Sequence, residues 1–114
     1  MSESDPKTTR WHHYIAYFFG AAFLSNCIPH LVAGMSGSPF QSPFASPPGE
    51  GLSSSIVNVA WGLFNLLVAY LLLIRVGTLD LKRWSHLGAF AAGFAAMSFM
   101  LAYAFGRFHG GLMR

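Results

Sequence analysis

Residues 51–74 read GLSSSIVNVAWGLFNLLVAYLLLI and contain no Asp, Glu, Lys or Arg. Two further stretches share this property: residues 11–49, which are 39 residues long, and residues 84–106, which are 23 residues long. A helix of about 20 mostly apolar residues is long enough to cross the hydrocarbon core of a bilayer. The pattern therefore predicts an all-α integral membrane protein with three transmembrane helices.

The composition excludes several classes of protein. Of the 114 residues, 54% are hydrophobic and only 10% are charged, whereas soluble domains carry about 25% charged residues. This excludes a soluble globular enzyme and a disordered tail. The seven Lys and Arg residues are scattered and form no basic stripe, so we expect no nucleic-acid partner. The single cysteine allows neither an intrachain disulfide nor a cysteine-based zinc site.

The first predicted span contains a proline. A helix ending before it, at Cys27, would be roughly 21 Å long, too short for a hydrocarbon core of about 30 Å. The helix must therefore continue through Pro29, where the missing backbone hydrogen bond predicts a kink. We expect Ser53–Ser55 to cap the second span and Asp80 to cap the third. The predicted transmembrane helices comprise residues 14–34, 55–74 and 81–108.

Charge bias predicts the orientation. The N-terminal segment and the loop after the second span contain five Lys or Arg residues, and the opposite side contains two. Because cytoplasmic loops carry an excess of Lys and Arg, we expect the N-terminus in the cytoplasm and the C-terminus outside. Residues 1–10 should form a flexible cytoplasmic segment, and residues 11–114 a single transmembrane helical domain. The absence of a recognisable targeting segment favours a bacterial inner membrane.

The loop between the first two spans is rich in proline. Residues 35–52 read MSGSPFQSPFASPPGEGL, in which Ser-Pro recurs every fourth residue. Proline at this spacing is incompatible with a helix, and the residue before each proline favours an extended conformation. Loops beyond about 12 to 15 residues are usually functional or disordered. Phe40 and Phe44 favour an ordered loop that covers the outer mouth of the bundle; a low-complexity connection is the alternative.

Polar side chains of the spans fall mainly in the outer half of the predicted membrane. At 1.5 Å per residue, His30, Asn58 and Tyr103 lie roughly 5 to 6 Å below the outer boundary, and Asn26 and Asn65 lie deeper. Asn26 and His30 are four residues apart and share a helix face. Unpaired amides facing lipid would each cost several kcal/mol. We therefore expect these residues to point into the bundle or into an oligomer interface.

Two interpretations of this polar cluster are possible. In the first, the side chains only hydrogen-bond the helices together, each bond contributing about 0.6 kcal/mol and at most about 2 kcal/mol. In the second, they line a ligand-binding cavity beneath the loop, because an ionisable side chain within a membrane is a functional candidate. The candidate ligand-binding residues are His30, Asn26, Asn58, Trp61, Asn65, Tyr103, Phe40 and Phe44.

Small residues are frequent in the third span. Gly88, Ala92 and Ala96 form one row, and Ala89 and Gly93 lie close beside it. Small residues four apart allow helices to approach closely in lipid. We therefore expect the third span to be the helix most closely packed against protein, in a homo-oligomer or as a subunit of a larger membrane complex.

Two functional hypotheses use the outer polar cluster. In the first, the protein is an accessory subunit or small oligomer that binds a membrane lipid or small hydrophobic ligand in an outer-half polar pocket under residues 35–52. In the second, it is a small membrane enzyme, an isomerase or hydrolase of a lipid-like substrate. His30 would then act as acid or base, with Asn58 and Asn65 as polarising amides.

A third hypothesis is a haem- or copper-binding protein. His30 and His109 would supply two imidazole ligands, and Cys27 or Met35 a third ligand. No spacing here is diagnostic of a metal site, so we expect no cofactor. His12, His13 and His86 fall at the predicted cytoplasmic boundary, where we expect a plain interfacial role. The spans contain no carboxylate, which argues against a proton relay or cation channel.

Overall fold

A computed structural model describes residues 8–112 of the chain. Its helices are α1 (Trp11–Met35), α2 (Ser55–Tyr70), which continues as a π-helical segment over Leu71–Val76, and α3 (Trp84–His109). The three spans are 25, 22 and 26 residues long and are apolar enough to cross a membrane. This confirms the prediction of a mostly helical, multi-pass membrane protein. Most of the predicted flexible segment, residues 1–7, lies outside the described residues.

The proline-rich loop contains a short hairpin. Strand β1 (Phe40–Gln41) pairs antiparallel with strand β2 (Leu52–Ser53). The Ser42 hydroxyl lies 2.6 Å from the Ser53 hydroxyl, and the Ser42 carbonyl accepts a hydrogen bond from the Gly49 amide at 2.8 Å. Paired strands were not predicted, because proline lacks the amide donor that strand pairing needs. The pairing is possible because Phe40 and Gln41 lie between Pro39 and Pro43, and Leu52 and Ser53 follow the last proline of the loop.

The starts of α2 and α3 are set by local hydrogen bonds. The Ser54 hydroxyl accepts a hydrogen bond from the Val57 amide at 3.2 Å, which is the expected serine cap of α2. Helix α3 begins at Trp84, three residues later than predicted. Asp80 does not cap it, because the Asp80 carboxylate accepts from the Lys82 amide at 3.0 Å and so closes a turn that precedes the helix.

Helix α1 is the centre of the bundle. It packs against both other helices, whereas α2 and α3 make almost no contact with each other. At one end, the Thr9 hydroxyl contacts His86 Nε2 at 2.9 Å and Arg83 Nη1 at 3.0 Å. At the other end, the Phe40 ring of the hairpin stacks on the His109 ring, with centroids 5.4 Å apart. Each end of the bundle is therefore tied to the segment that connects its helices.

His86 has a structural role that its position in the sequence did not indicate. Its side chain is buried, and its Nδ1 accepts a hydrogen bond from the Asp80 amide at 3.0 Å. In the neutral imidazole the other nitrogen is then the donor, so Nε2–H donates to the Thr9 hydroxyl. The Tyr17 ring packs against it at a centroid distance of 4.7 Å. His86 links the start of α1 to the loop before α3.

Helices approach most closely at glycines. A Cβ atom on Gly93 of α3 would lie 1.9 Å from the Phe18 carbonyl oxygen of α1, so no larger residue fits without moving the helices apart. A Cβ atom on Gly62 of α2 would lie 2.7 Å from the side chain of Leu31. The constraint is stronger at Gly93, because backbone cannot move aside as a side chain can.

Within the described chain α3 is the least buried of the three spans, so the expected packing against protein is not found inside the bundle, and packing against another protein surface stays a prediction. Within an apolar stretch of 18 residues in each span, the buried share is 44% in the first span, 28% in the second and 6% in the third. Ala89 and Gly93 face the bundle, but Gly88 and Ala92 are exposed. The reason is geometric: α1 lies between two helices, whereas α1 is the one helix against which α3 packs extensively.

Candidate functional site

Two hydrogen-bonded pairs link α1 to α2 in the half of the bundle that carries the hairpin. His30 Nδ1 lies 2.7 Å from Asn58 Oδ1, and Asn26 Nδ2 donates to Asn65 Oδ1 at 2.9 Å. Asn58 and Asn65 are fully enclosed, and His30 is 2% exposed. The four residues that sequence reasoning placed at matching depths are therefore brought together by the fold.

The hydrogen bonds of Asn58 determine which nitrogen of His30 carries the proton. Asn58 Nδ2 donates to the backbone carbonyls of Phe40, Ser53 and Ser54 at 3.1, 3.2 and 3.1 Å. The amide cannot be reversed, because its oxygen would then face three carbonyl oxygens. Asn58 Oδ1 is therefore an acceptor, and His30 Nδ1–H is the donor. In the neutral imidazole this leaves the lone pair on Nε2.

The second pair is oriented in the same way. Asn65 Nδ2 donates to the Trp61 carbonyl at 2.8 Å, so Asn65 Oδ1 must accept from Asn26 Nδ2. Asn26 Oδ1 has no hydrogen-bond partner within residues 8–112. Asn58 and Asn65 thus use their polar atoms to position His30 and Asn26, and they do not serve as free amides.

A cavity of about 350 Å³ lies beneath the hairpin, and we call it the loop cavity. Asn26 and His30 of α1, Trp61 of α2 and Phe105 of α3 line its sides, and hairpin residues 41–43 and 48–49 cover it. None of these nine residues carries a carboxylate, ammonium or guanidinium group. The cavity is therefore uncharged when His30 is neutral.

His30 Nε2 is not completely enclosed, although the residue as a whole is only 2% exposed. The imidazole makes its one hydrogen bond through Nδ1. Within residues 8–112, every fully buried side-chain nitrogen or oxygen atom has a hydrogen-bond partner. Because Nε2 of His30 has no partner among these residues, it is not fully buried. Because His30 itself lines the loop cavity, its free nitrogen offers a lone pair to whatever occupies that space.

Aromatic rings surround the imidazole of His30. Phe40, Phe105 and Trp61 contact it edge-on, with centroid distances of 5.6, 6.0 and 6.4 Å. Phe44 is 66% exposed and contacts only the edge of Trp61, at 5.2 Å. Phe40 is therefore the hairpin aromatic that reaches the site, and Phe44 lies at its rim.

Tyr103 does not join the cluster. It is 62% exposed, and the Arg107 guanidinium lies over its ring at 5.9 Å. Phe105 takes the place expected for Tyr103, because two residues along a helix turn the side chain by about 200°. Phe105 lies seven residues after Ser98, which faces α1, and this spacing is the signal that identifies it. Gln41 and Ser42 were also missed, because loop contacts leave no periodic signal.

His30 and His109 do not meet. The Phe40 ring contacts both imidazoles, and His109 Nε2 bonds to Gln41 Oε1 at 2.9 Å. In the part of the chain that the structure describes, no group of three or more His, Cys, Asp or Glu side chains could hold a metal ion. A haem or copper ion on these two histidines would require both of these contacts to rearrange.

A second cavity, of about 410 Å³, lies between α1 and α3, and we call it the α1–α3 groove. Ile28, Phe94 and Leu101 provide apolar walls. Its polar residues include Ser25 and Ser98, whose hydroxyls bond to each other at 2.8 Å. Phe105 lines both this groove and the loop cavity.

Comparisons with known proteins provide no identification. The chain matches no known protein family, no curated protein and no solved structure at a significant level. The geometry of the site is therefore the basis for inferring the function.

Proposed function

We propose that this protein is a membrane-embedded binding protein that holds a lipid or another small hydrophobic molecule in the loop cavity. The observation that carries this proposal is the free Nε2 atom of His30. Asn58 holds the opposite side of the ring, and the lone pair of Nε2 is accessible in a site that is otherwise apolar or amide-lined.

A role in helix packing alone does not account for this atom. In a purely structural role both imidazole nitrogens would form hydrogen bonds within the protein, as those of His86 do. His30 uses one nitrogen to join α1 to α2 and leaves the other for an occupant of the cavity. The cavity volume of about 350 Å³ lies within the range of about 300–1,000 Å³ that small-molecule sites usually have.

The variant His30→Asn tests the proposal. The amide nitrogen of Asn can replace Nδ1 as donor to Asn58, but no atom replaces Nε2. We expect native mass spectrometry of protein extracted gently from membranes to show a co-purified molecule on the wild type. The affinity for this molecule should fall about tenfold in the variant, since a hydrogen bond contributes about 0.5–1.5 kcal/mol.

Ser85→Ala is the matched control. It removes the hydrogen bond that the Tyr14 hydroxyl donates to Ser85, which also joins two helices but lies outside both cavities. This variant should weaken the fold slightly and keep the bound molecule. If the wild type carries no molecule, or if both variants lose it equally, the polar cluster only holds the helices together.

A membrane enzyme is the second candidate, and the orientation of His30 is the observation that favours it. An amide oxygen that holds Nδ1–H leaves Nε2 as a base, which is the usual arrangement of a general-base histidine. Asn26 and Gln41, rather than Asn58 and Asn65, would then polarise the substrate, because their amides have free atoms. Recovery of the co-purified molecule chemically unchanged after prolonged incubation with the protein would argue for binding alone.

We also propose that the hairpin lies on the outer side of a bacterial inner membrane and that the N-terminus is cytoplasmic. The excess of Lys and Arg at the end of the bundle that carries Arg83 supports this orientation. A kink at Pro29, next to His30, would open α1 beside the loop cavity. The exposure of α3 supports an accessory subunit or a small oligomer, in which a second protein surface covers this helix.

A further inference from the structure

Within residues 8–112, the residues that line the loop cavity carry four side-chain polar atoms without hydrogen-bond partners. Two are acceptors: the lone pair on His30 Nε2 and the oxygen Oδ1 of Asn26. Their orientations follow from the bonds of Asn58 and Asn65 described above. The other two are donors, the amide nitrogen Nε2 of Gln41 and the indole nitrogen Nε1 of Trp61.

Gln41 is nearly enclosed, yet half of its amide is unused. It is 5% exposed, and its Oε1 is bonded to His109 Nε2 at 2.9 Å. Its nitrogen has no hydrogen-bond partner within residues 8–112. Every fully buried polar side-chain atom of these residues has a partner, so this nitrogen is not fully buried. Since Gln41 covers the loop cavity, we assign this amide to the cavity's polar lining.

This set of atoms discriminates between head groups. A carboxylate or phosphate only accepts hydrogen bonds, so it would be opposed by the two acceptors and would find no cationic side chain among the lining residues. An ammonium only donates, so it would leave the Gln41 amide unpaired and would lack a carboxylate partner. A hydroxyl donates one hydrogen bond, to either His30 Nε2 or Asn26 Oδ1, and accepts one from the Gln41 amide, so it uses both kinds of atom without carrying charge.

The α1–α3 groove provides space for an apolar chain. It adjoins the loop cavity at Phe105, which lines both. From Phe105 to Phe94 the groove follows α3 for roughly 16 Å at 1.5 Å per residue. Along this length the Ser25 and Ser98 hydroxyls are paired with each other. The groove therefore lies beside the polar cavity at Phe105 and extends from there towards the middle of the span.

We propose that the ligand is an uncharged amphiphile whose hydroxyl group binds between His30, Asn26 and Gln41 and whose hydrocarbon chain lies in the α1–α3 groove. This proposal rests on the binding function proposed above and specifies the chemical class of its ligand. It separates neutral long-chain alcohols from anionic lipids and from alkylamines of the same chain length.

A series of four probes tests the head group. The protein, delipidated in detergent, is titrated with 1-dodecanol, dodecanoate, dodecylamine and dodecane, and its melting temperature is followed. A ligand that binds only the folded state raises this temperature in a concentration-dependent manner. We expect 1-dodecanol to raise it by several degrees and the other three to have little effect. Gln41→Met should weaken the apparent affinity for 1-dodecanol about tenfold.

A pair of α3 variants tests the chain site. Ala102 lines the groove and is exposed to it, so Ala102→Phe should fill the groove and abolish the dodecanol effect. Ala96 is also exposed but lies on the opposite face of α3, so Ala96→Phe should leave the effect unchanged.

The outcomes distinguish this proposal from the binding function. Equal or stronger stabilisation by dodecanoate, dodecylamine or dodecane would overturn the hydroxyl class and leave the binding function standing. Equal effects of the two α3 variants would overturn the chain site. If 1-dodecanol has no effect, the ligand class is wrong, whereas the binding function fails only if the wild type also carries no co-purified molecule.

Discussion

His30 Nδ1 donates a hydrogen bond to Asn58 Oδ1 over 2.7 Å, across the interface of α1 and α2. The same asparagine holds the hairpin, because its Nδ2 donates to carbonyls of Phe40, Ser53 and Ser54. One buried amide therefore joins two helices, anchors the cover of the loop cavity and orients the imidazole.

The two buried asparagines of α2 should differ in their tolerance of Asp. In Asn58→Asp, a carboxyl oxygen faces three backbone carbonyls, whereas in Asn65→Asp it faces the single carbonyl of Trp61. We expect losses in the free energy of unfolding of about 3 kcal/mol or more for Asn58→Asp and about 1–2 kcal/mol for Asn65→Asp. Denaturant titration in detergent micelles measures both. Equal losses would mean that the hydrogen bonds from Asn58 to the hairpin carbonyls do not stabilise the fold.

Two glycines of α3 should respond in opposite directions to Ala. A Cβ atom at Gly93 would lie 1.9 Å from the Phe18 carbonyl oxygen, whereas a Cβ atom at Gly88 would meet nothing within 4 Å. Gly93→Ala should therefore force α1 and α3 apart and cost about 2 kcal/mol or more. Gly88→Ala should be neutral or stabilise by up to about 1 kcal/mol, since Ala favours helix more than Gly. Thermal unfolding of the two variants checks this, and a stable Gly93→Ala protein would contradict the packing of α1 on α3.

Replacing His86 should loosen the end of the bundle opposite the hairpin. His86→Phe preserves a ring beside Tyr17 but leaves the Asp80 amide and the Thr9 hydroxyl without their partner. We expect the loop before α3 to become sensitive to proteolysis and the unfolding free energy to fall by about 1–3 kcal/mol. The control is His12→Phe at an exposed position, which should change neither. Unchanged proteolysis of the His86 variant would show that the link is dispensable.

The proposed orientation can be measured by cysteine labelling. In a Cys27→Ala background, Ser46→Cys adds a thiol in the hairpin and Lys82→Cys adds one in the loop before α3; both positions are exposed. A membrane-impermeant maleimide applied to intact cells should label the Ser46→Cys variant. It should label the Lys82→Cys variant only after permeabilisation, because Lys and Arg concentrate on the cytoplasmic side. The reverse pattern would invert the topology.

Depth along a helix could be predicted from the sequence, but the direction of a side chain around the helix was less certain. Counting residues from the helix ends placed His30 level with Asn58, and the structure joins them. The same count placed Tyr103 at this depth, yet its side chain is exposed and Phe105 lines the cavity. The depth of a residue along the helix follows from the rise per residue. The direction in which its side chain points depends on which neighbouring segment the helix packs against.

The sequence by itself determined that this is a three-span membrane protein. Its uncharged stretches of 39, 24 and 23 residues are each long enough for an apolar helix that crosses the hydrocarbon core of a bilayer. It also determined which polar side chains fall in one half of the spans. Only the tertiary structure decided that α1 is the central helix, that His86 is a buried link and that residues 41–43 of the hairpin cover His30. These features depend on contacts between segments distant in the chain, which no local pattern of residues records. The free Nε2 atom of His30 is one of them, because its orientation is set by carbonyl groups of the hairpin acting through Asn58.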